Sequence, residues 1–231
     1  LAVADGVSGH EGGREAAEMS VRSLLSDYYA TPDTWEVTAA LDKVLGAVNR
    51  WVLAQAAKQR EMAGMATTLS ALVLRGRRYT VAHVGDSRVY RFRDKELKQL
   101  TTDHVWDRPD MRHVLKRAIG LDSQLDYAEG DLQAGDVFAL MTDGVWERLD
   151  ASRIQQILAL YQSPQLAADG LVKSALNADG QDNATALVVR VEAVGDENFA
   201  DLLSGGRVLG LPPKLKPGEQ LDDFEVLELL H

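Results

Sequence analysis

Cysteine is absent from all 231 residues, which removes disulfides, zinc–thiolate centres and thiol nucleophiles from consideration. Any metal must therefore be held by oxygen or imidazole. Positive charge is also short, with 25 Lys and Arg against 35 Asp and Glu and a formal net charge of −10. Such a balance argues against nucleic acid as a partner and against an anionic membrane surface. No uninterrupted apolar stretch approaches the roughly 18 to 20 residues that span a bilayer, and Leu1-Ala2-Val3-Ala4-Asp5 has no basic residues of the kind that open a secretion signal. A cytoplasmic segment without membrane contact is expected. The first residue is not Met and already lies in a strand-like run, so the natural polypeptide is expected to begin further upstream. What is plentiful is apolar residues, 45% of the chain, enough to bury a sizeable core.

The periodicity changes along the chain. Leu1 to Ala4 reads as a short strand ending in Asp5-Gly6, followed by a loop punctuated by Gly9, Gly12 and Gly13. A helix carrying Ala16, Ala17, Met19, Val21, Leu24 and Leu25 comes next, and after Thr31-Pro32-Asp33 a second helix is expected from about Thr34 to Arg60. From Thr67 the pattern is that of strands: Leu69–Leu74, Tyr79–Val84, Val89–Phe92 and Leu97–Leu100. The turns joining them are so short that they must be antiparallel. Met111–Ala118 has the spacing of a short helix, Tyr127–Leu132 and Val137–Met141 of strands, Ile154–Tyr161 and Leu166–Leu176 of helices, and Ala184–Val191 of a last strand. These elements predict an α+β fold, two packed antiparallel sheets flanked by helices in a four-layer α/β/β/α sandwich. The compact domain is expected over residues 1–194, and residues 195–231, with Gly205-Gly206, Pro212-Pro213 and Pro217-Gly218, read as linker and tail.

Four carboxylates stand at the ends of apolar runs: Asp5 after LAVA, Asp86 after YTVAHVG, Asp143 after VFALMT, and Asp182 opening the turn into NATALVV. Singly, each belongs to an ordinary turn dipeptide. Together, at the ends of strands in two neighbouring sheets, they can meet at one rim, with backbone carbonyls such as that of Gly6 within reach. Clustered carboxylates need a cation to offset their repulsion, and an all-oxygen set suits magnesium or manganese better than zinc.

Seven motifs then occur in order: Asp5-Gly6-Val7-Ser8-Gly9-His10, Gly64-Met65-Ala66-Thr67-Thr68-Leu69, Gly85-Asp86-Ser87-Arg88, Thr102-Asp103-His104, Ala118-Ile119-Gly120, Thr142-Asp143-Gly144 and Asp182-Asn183. From Leu1 to about Val194 the chain resembles the metal-dependent type 2C (PPM) protein phosphatases in their bacterial form. The resemblance implies hydrolysis of phosphoserine and phosphothreonine in proteins by a metal-bridging hydroxide, without a phosphoenzyme. It implies two Mn2+ or Mg2+ ions bridged by Asp5, with the Gly6 carbonyl as a further ligand and Asp143 and Asp182 on one metal. Asp86 matches the ligand of a weaker third metal. The family's phosphate-gripping arginine and a Glu-Asp pair lie upstream of the segment matching Leu1, and a histidine found in many relatives is here Val7. The flap that usually follows Asp103-His104 is short in this chain, with Trp106, Pro109 and His113. A non-catalytic relative that binds phosphoprotein is the alternative function.

Other features have plainer readings. His10, His83 and His104 are expected to be hydrogen-bonded structural residues, and Trp35, Trp51 and Trp146 to pack. Arg14, Arg88 and Arg91 are candidates to face a phosphate or simply solvated. Ser8 and Ser87 lack a Ser-His-Asp arrangement, and the glycine loop before the first helix lacks both the dinucleotide spacing and a phosphate-binding lysine. The segment Leu221–Leu230 looks like the first strand of a protein kinase domain, or else a tail. On the first reading a Ser/Thr kinase in the same polypeptide is a partner.

Overall fold

Successive residues of a strand point to opposite faces, so the alternation along each strand decides which layer it meets. The computed structural model describes residues 1–7, 11–108, 110–111, 114–178, 180–195, 220–221 and 224–225. Its elements are β1 (Ala2–Val3), α1 (Glu11–Tyr29), α2 (Val37–Lys58), β2 (Leu69–Arg75), β3 (Arg78–Val84), β4 (Arg88–Arg93), β5 (Glu96–Gln99), β6 (Asp126–Asp131), β7 (Val137–Met141), α3 (Asp143–Trp146), α4 (Ala151–Leu160), α5 (Pro164–Asn177) and β8 (Ala186–Arg190). All of these belong to one unit, Leu1–Asp196. Two four-stranded sheets result, ordered β1-β2-β3-β6 and β5-β4-β7-β8, and every neighbouring pair is antiparallel.

Three apolar layers separate the four layers of structure. Leu69 and Ala71 of β2 and Ala82 and Val84 of β3 face outward onto Leu24 of α1 and Leu41, Val44, Leu45, Val48 and Val52 of α2. The intervening residues Leu72, Tyr79 and Val81 face inward and meet Val89, Phe138 and Leu140 of the second sheet, with the Tyr79 and Phe138 rings 5.1 Å apart. Beyond the second sheet, Tyr90, Val137, Ala139 and Met141 pack on Ile154, Ile157 and Leu158 of α4 and Leu171 and Ala175 of α5. This is the expected α/β/β/α sandwich.

Local chemistry starts and stops the helices. Along α2 the buried residues Val37, Leu41, Val44, Leu45, Val48 and Val52 recur at spacings of three and four, a stripe that one sheet face can cover. Asp150 accepts from the Arg153 backbone N–H at 2.7 Å to cap α4. Ser163 does the same for α5, where Pro164 occupies the first turn. The second helix is shorter than expected, because Trp35 N–H closes a turn onto the Pro32 carbonyl before the helix begins.

Met111–Ala118 is a correction: its described residues form no helix. Instead Leu115 bridges Val105, Trp106 N–H donates to Val114 O at 3.2 Å, and Lys116 N–H donates to His104 O at 2.7 Å. Pairing with the preceding segment satisfies these backbone groups, and helical spacing over so few residues is too weak to compete. Ser8, Gly9, His10, Pro109 and His113 lie outside the described residues. The second unit, Glu197–His231, contains β9 (Gln220–Leu221) and β10 (Phe224–Glu225), paired antiparallel with Leu221 opposite Phe224. The rest of the Leu221–Leu230 segment lies outside the described residues. Among the described residues no helix is long and apolar enough to cross a membrane.

Residues between the sheets have no solvent to give way into. Phe138 is fully buried there whereas Leu160 is 71% exposed. Truncating Phe138 to Ala is expected to cost about 3–5 kcal/mol in urea denaturation, against at most about 0.5 kcal/mol for Leu160→Ala. Equal losses would contradict the layer assignment.

Candidate active site

Strand register brings the four aspartates to one rim. Val3 lies opposite Ser70 and Leu69 opposite Val84, so the chain leaves β1 towards Asp5 and β3 towards Asp86 at the same end of the first sheet. In the second sheet Arg88 lies opposite Met141 and Met141 opposite Ala186. Asp86 before β4, Asp143 after β7 and Asp182 before β8 therefore sit at one matching end.

Asp5 is held through its main chain. Its N–H donates to Thr68 Oγ1 at 3.0 Å, and its carbonyl accepts from Thr67 Oγ1 at 2.8 Å and from Thr68 N–H at 2.9 Å. Thr68 Oγ1 lies 2.8 Å from Ser87 Oγ, which links this support to the turn that carries Asp86. Gly6 bridges Thr67 and runs against the start of α1: a Cβ on Gly6 would meet the Gly13 carbonyl carbon at 2.3 Å. Close backbone approach accounts for Gly6 and Gly13. Gly85 turns with φ +114°, where a Cβ would strike Thr68 at 2.5 Å.

The carboxyl groups sense one another strongly. Burial, then the charge of Asp143 and a hydrogen bond between the two carboxyls, then Asp182 and Asp86, push Asp5 up to about 7. Burial and the charge of Asp143, followed by Asp103, push Asp86 up to about 7 as well. Both shifts mark uncompensated negative charge in a partly dry site. Asp143 Oδ1 accepts from Gly144 N–H and Asp182 Oδ1 from Asn183 N–H, each at 2.7 Å. Thr142 ties the two segments together, donating its N–H to Thr185 O and accepting from Thr185 N–H, both at 3.1 Å. Asp182 is the most exposed of the four. Among the described residues no three His, Asp or Glu side chains already enclose an ion, so the carboxyls converge without closing into a cage. The donor set, four carboxylates with backbone carbonyls beside them, nevertheless fits a hard divalent cation, whose positive charge would relieve the repulsion seen at Asp5 and Asp86.

Around this rim the remaining candidates separate. His83 is buried between Ser70 Oγ at 2.8 Å and the Thr102 carbonyl at 3.2 Å, and burial, then His104, push it down to about 4. His104 accepts from Gly85 N–H at Nδ1 (3.1 Å), which leaves Nε2–H to donate to Asp126 at 3.0 Å. Both histidines are structural, as expected. Arg88 does not await a phosphate, because Asp103 holds it with contacts of 2.7 and 3.0 Å. Arg14 is exposed on α1, and Arg91 Nε is buried without a hydrogen-bond partner. The supporting roles of Thr67, Thr68 and Ser87 were not read from the sequence, although their runs Thr67-Thr68 and Asp86-Ser87 adjoin the strand ends. Trp146, read as packing, also donates its indole N–H to the Asp86 carbonyl at 3.0 Å.

Comparison with known proteins gives this rim a family. The family described as protein phosphatase 2C matches residues 1–178. A serine/threonine phosphatase, stp, of Listeria welshimeri is 32% identical, over 81% of this chain and 82% of its own length. The serine/threonine phosphatase PstP/Ppp of Mycobacterium tuberculosis has a similar solved structure, with TM-score 0.75 and 30% identity over 84% of this chain and 88% of that one. A second structure, of the PstP catalytic domain in complex with two manganese ions, matches with TM-score 0.75 and 30% identity, over 84% of this chain and 87% of that one. With three quarters of its length matched and a sandwich of the same architecture, the chain belongs to the protein phosphatase 2C family, in its bacterial form.

Proposed function

We propose that this protein-serine/threonine phosphatase hydrolyses phosphoserine and phosphothreonine in proteins with two divalent cations, Mn2+ or Mg2+, at the rim between its sheets. Asp5, the Gly6 carbonyl, Asp143 and Asp182 would hold them, and Asp86 would hold a weaker third. The observation that carries this reading is the meeting of the Asp5 and Asp143 carboxyls with Asp86 and Asp182 close enough to raise the Asp5 pKa. The two manganese ions of the related PstP structure support it. When bound, two such ions supply an activated water and the positive charge that in-line displacement at phosphorus requires.

The chain's own residues prepare that chemistry by position. Thr67 and Thr68 hold the Asp5 main chain, so its carboxylate need not be ordered anew when substrate arrives. His104 is committed to Gly85 and Asp126 and does not deliver a proton to a leaving group, and position 7 is Val. The Asp5 carboxyl, pushed up to about 7 by burial and its acidic neighbours, must lose its proton to hold a cation. The opposing enzyme in this reading is a Ser/Thr kinase in the same cytoplasmic compartment, joined to this chain if the Leu221–Leu230 segment opens a kinase domain.

Hydrolysis of a phosphothreonine peptide, by this chain and by a form carrying the residues encoded upstream of Leu1, tests the reading. Turnover is expected with Mn2+ and not with chelator, and Asp5→Asn or Asp143→Asn should each lower it by more than about a hundredfold with unchanged circular dichroism. Full activity in either variant, or phosphopeptide binding with no turnover in any form, would overturn it.

Protonation gives an independent check. A carboxyl whose folded pKa is about 7 against an ordinary 3.8 stabilises the fold at low pH, and this contribution is lost as pH rises through that window. In chelator, Tm should therefore fall between about pH 4 and 7 more steeply than in Asp5→Asn. Stabilisation by Mn2+ should grow over the same interval, because the cation binds the deprotonated groups. A Mn2+ effect independent of pH would contradict the assignment.

A further inference from the structure

Trp146 ends the four-residue helix that begins at Asp143, and its indole reaches 60 residues back along the sequence to the Asp86 carbonyl, 3.0 Å away. The face of the same indole is covered by Arg88, whose guanidinium carbon lies 3.4 Å from the ring centroid. Asp103 fixes that guanidinium along its edge, with Nη2 donating to Oδ2 at 2.7 Å and Nε to Oδ1 at 3.0 Å. Trp146, Arg88 and Asp103 thus join three separate segments, and the indole connects them to the rim through the Asp86 main chain. A cavity of about 570 Å³, lined in part by Arg88, Tyr90, Trp146 and Glu147, opens beside the stack. The indole is half-buried, packed at the edge of the core beneath the second sheet.

The turn it touches needs bracing. Gly85-Asp86-Ser87 carries the chain from the first sheet to the second, with Gly85 at φ +114°. His104 fixes Gly85 on both sides, its N–H donating to Gly85 O at 2.7 Å and its Nδ1 accepting from Gly85 N–H at 3.1 Å. Ser87 is tied to Thr68. Between these anchors, the Trp146 indole is the one described side chain hydrogen-bonded to the Asp86 carbonyl. An indole N–H in place of a plain apolar ring satisfies that carbonyl.

We infer that Trp146 is a positioning residue, held flat by the Arg88–Asp103 pair, that fixes the main chain of Asp86 and thereby sets the affinity of the cation bound there. The inference rests on the reading of Asp86 as a cation ligand. Because Trp146 and Asp143 share one short helix, it also ties Asp86 mechanically to the neighbouring carboxylate.

Calorimetric Mn2+ titration of the full chain, Trp146→Phe, Asp86→Asn and the double variant separates the two claims. Asp86→Asn should remove the weakest binding step. Trp146→Phe, which keeps an aromatic ring but lacks the N–H, should weaken that same step about tenfold, the lower end for a residue that orients a ligand, with the tighter steps unchanged. The double variant should match Asp86→Asn alone. Arg88→Lys keeps the charge but loses the planar stack and the two-pronged pairing. It should give the same selective loss at smaller size, and it carries the test if Trp146→Phe does not fold. If Asp86→Asn removes a step that Trp146→Phe and Arg88→Lys leave untouched, or if they weaken every step alike, the inference is wrong. If Asp86→Asn leaves the titration unchanged, the ligand assignment itself falls and the inference with it.

Discussion

The Asp5 and Asp143 carboxyl groups meet between the two sheets, with Asp86 and Asp182 near enough to add their charge. Like charges in a partly dry site repel, and at neutral pH the arrangement can persist only with a retained proton or a bound cation. The rest of that end of the molecule supplies the restraint. Thr67 and Thr68 grip the Asp5 main chain, Thr142 and Thr185 lock the Asp143 and Asp182 segments, and Ser87 joins one support to the other. The hydroxyls of Thr67, Thr68, Ser87 and Thr142 are buried, where each unmet partner would be costly, so the network specifies one geometry.

The sandwich serves this rim in two ways. Packing of Phe138, Leu140, Tyr79 and Val81 between the sheets fixes their relative position, and no short carboxylate could reach across if the sheets slid by a residue or two. Antiparallel register then decides which strand ends face the gap, and a slip of one residue would send each side chain to the opposite face. Stability and function thus share one constraint. The layer that joins the two sheets is also the one that sets the spacing of the acidic groups.

Much of this was legible in the chain. The four aspartates could be picked out because three follow a hydrophobic strand and Asp182 precedes one, and a strand end in a two-sheet sandwich has few places to point. The strands of the central sheets were readable from their apolar runs and tight turns, with edges shifted by a residue or two. Met111–Ala118 misled because Met111, Val114, Leu115 and Ala118 have helical spacing, whereas the backbone there is satisfied by pairing with His104–Trp106, a non-local choice that periodicity does not encode. Trp146 illustrates a different gap. Its apolar body announces packing, but its N–H acts on a carbonyl 60 residues earlier, and only the folded register brings the two together. The four-residue helix α3 that carries it is too short to leave a periodic signal. Arg88 was a candidate for phosphate until the fold placed Asp103 against it.

Anomalous diffraction from crystals grown with Mn2+ addresses the central claim directly, because it locates the cations without recourse to turnover. The account predicts two strong peaks at the rim, bridged by the Asp5 carboxylate, with Asp143 and Asp182 among their contacts. Manganese bound elsewhere, or a rim in which Asp5 and Asp143 remain paired through a proton under saturating Mn2+, would contradict it.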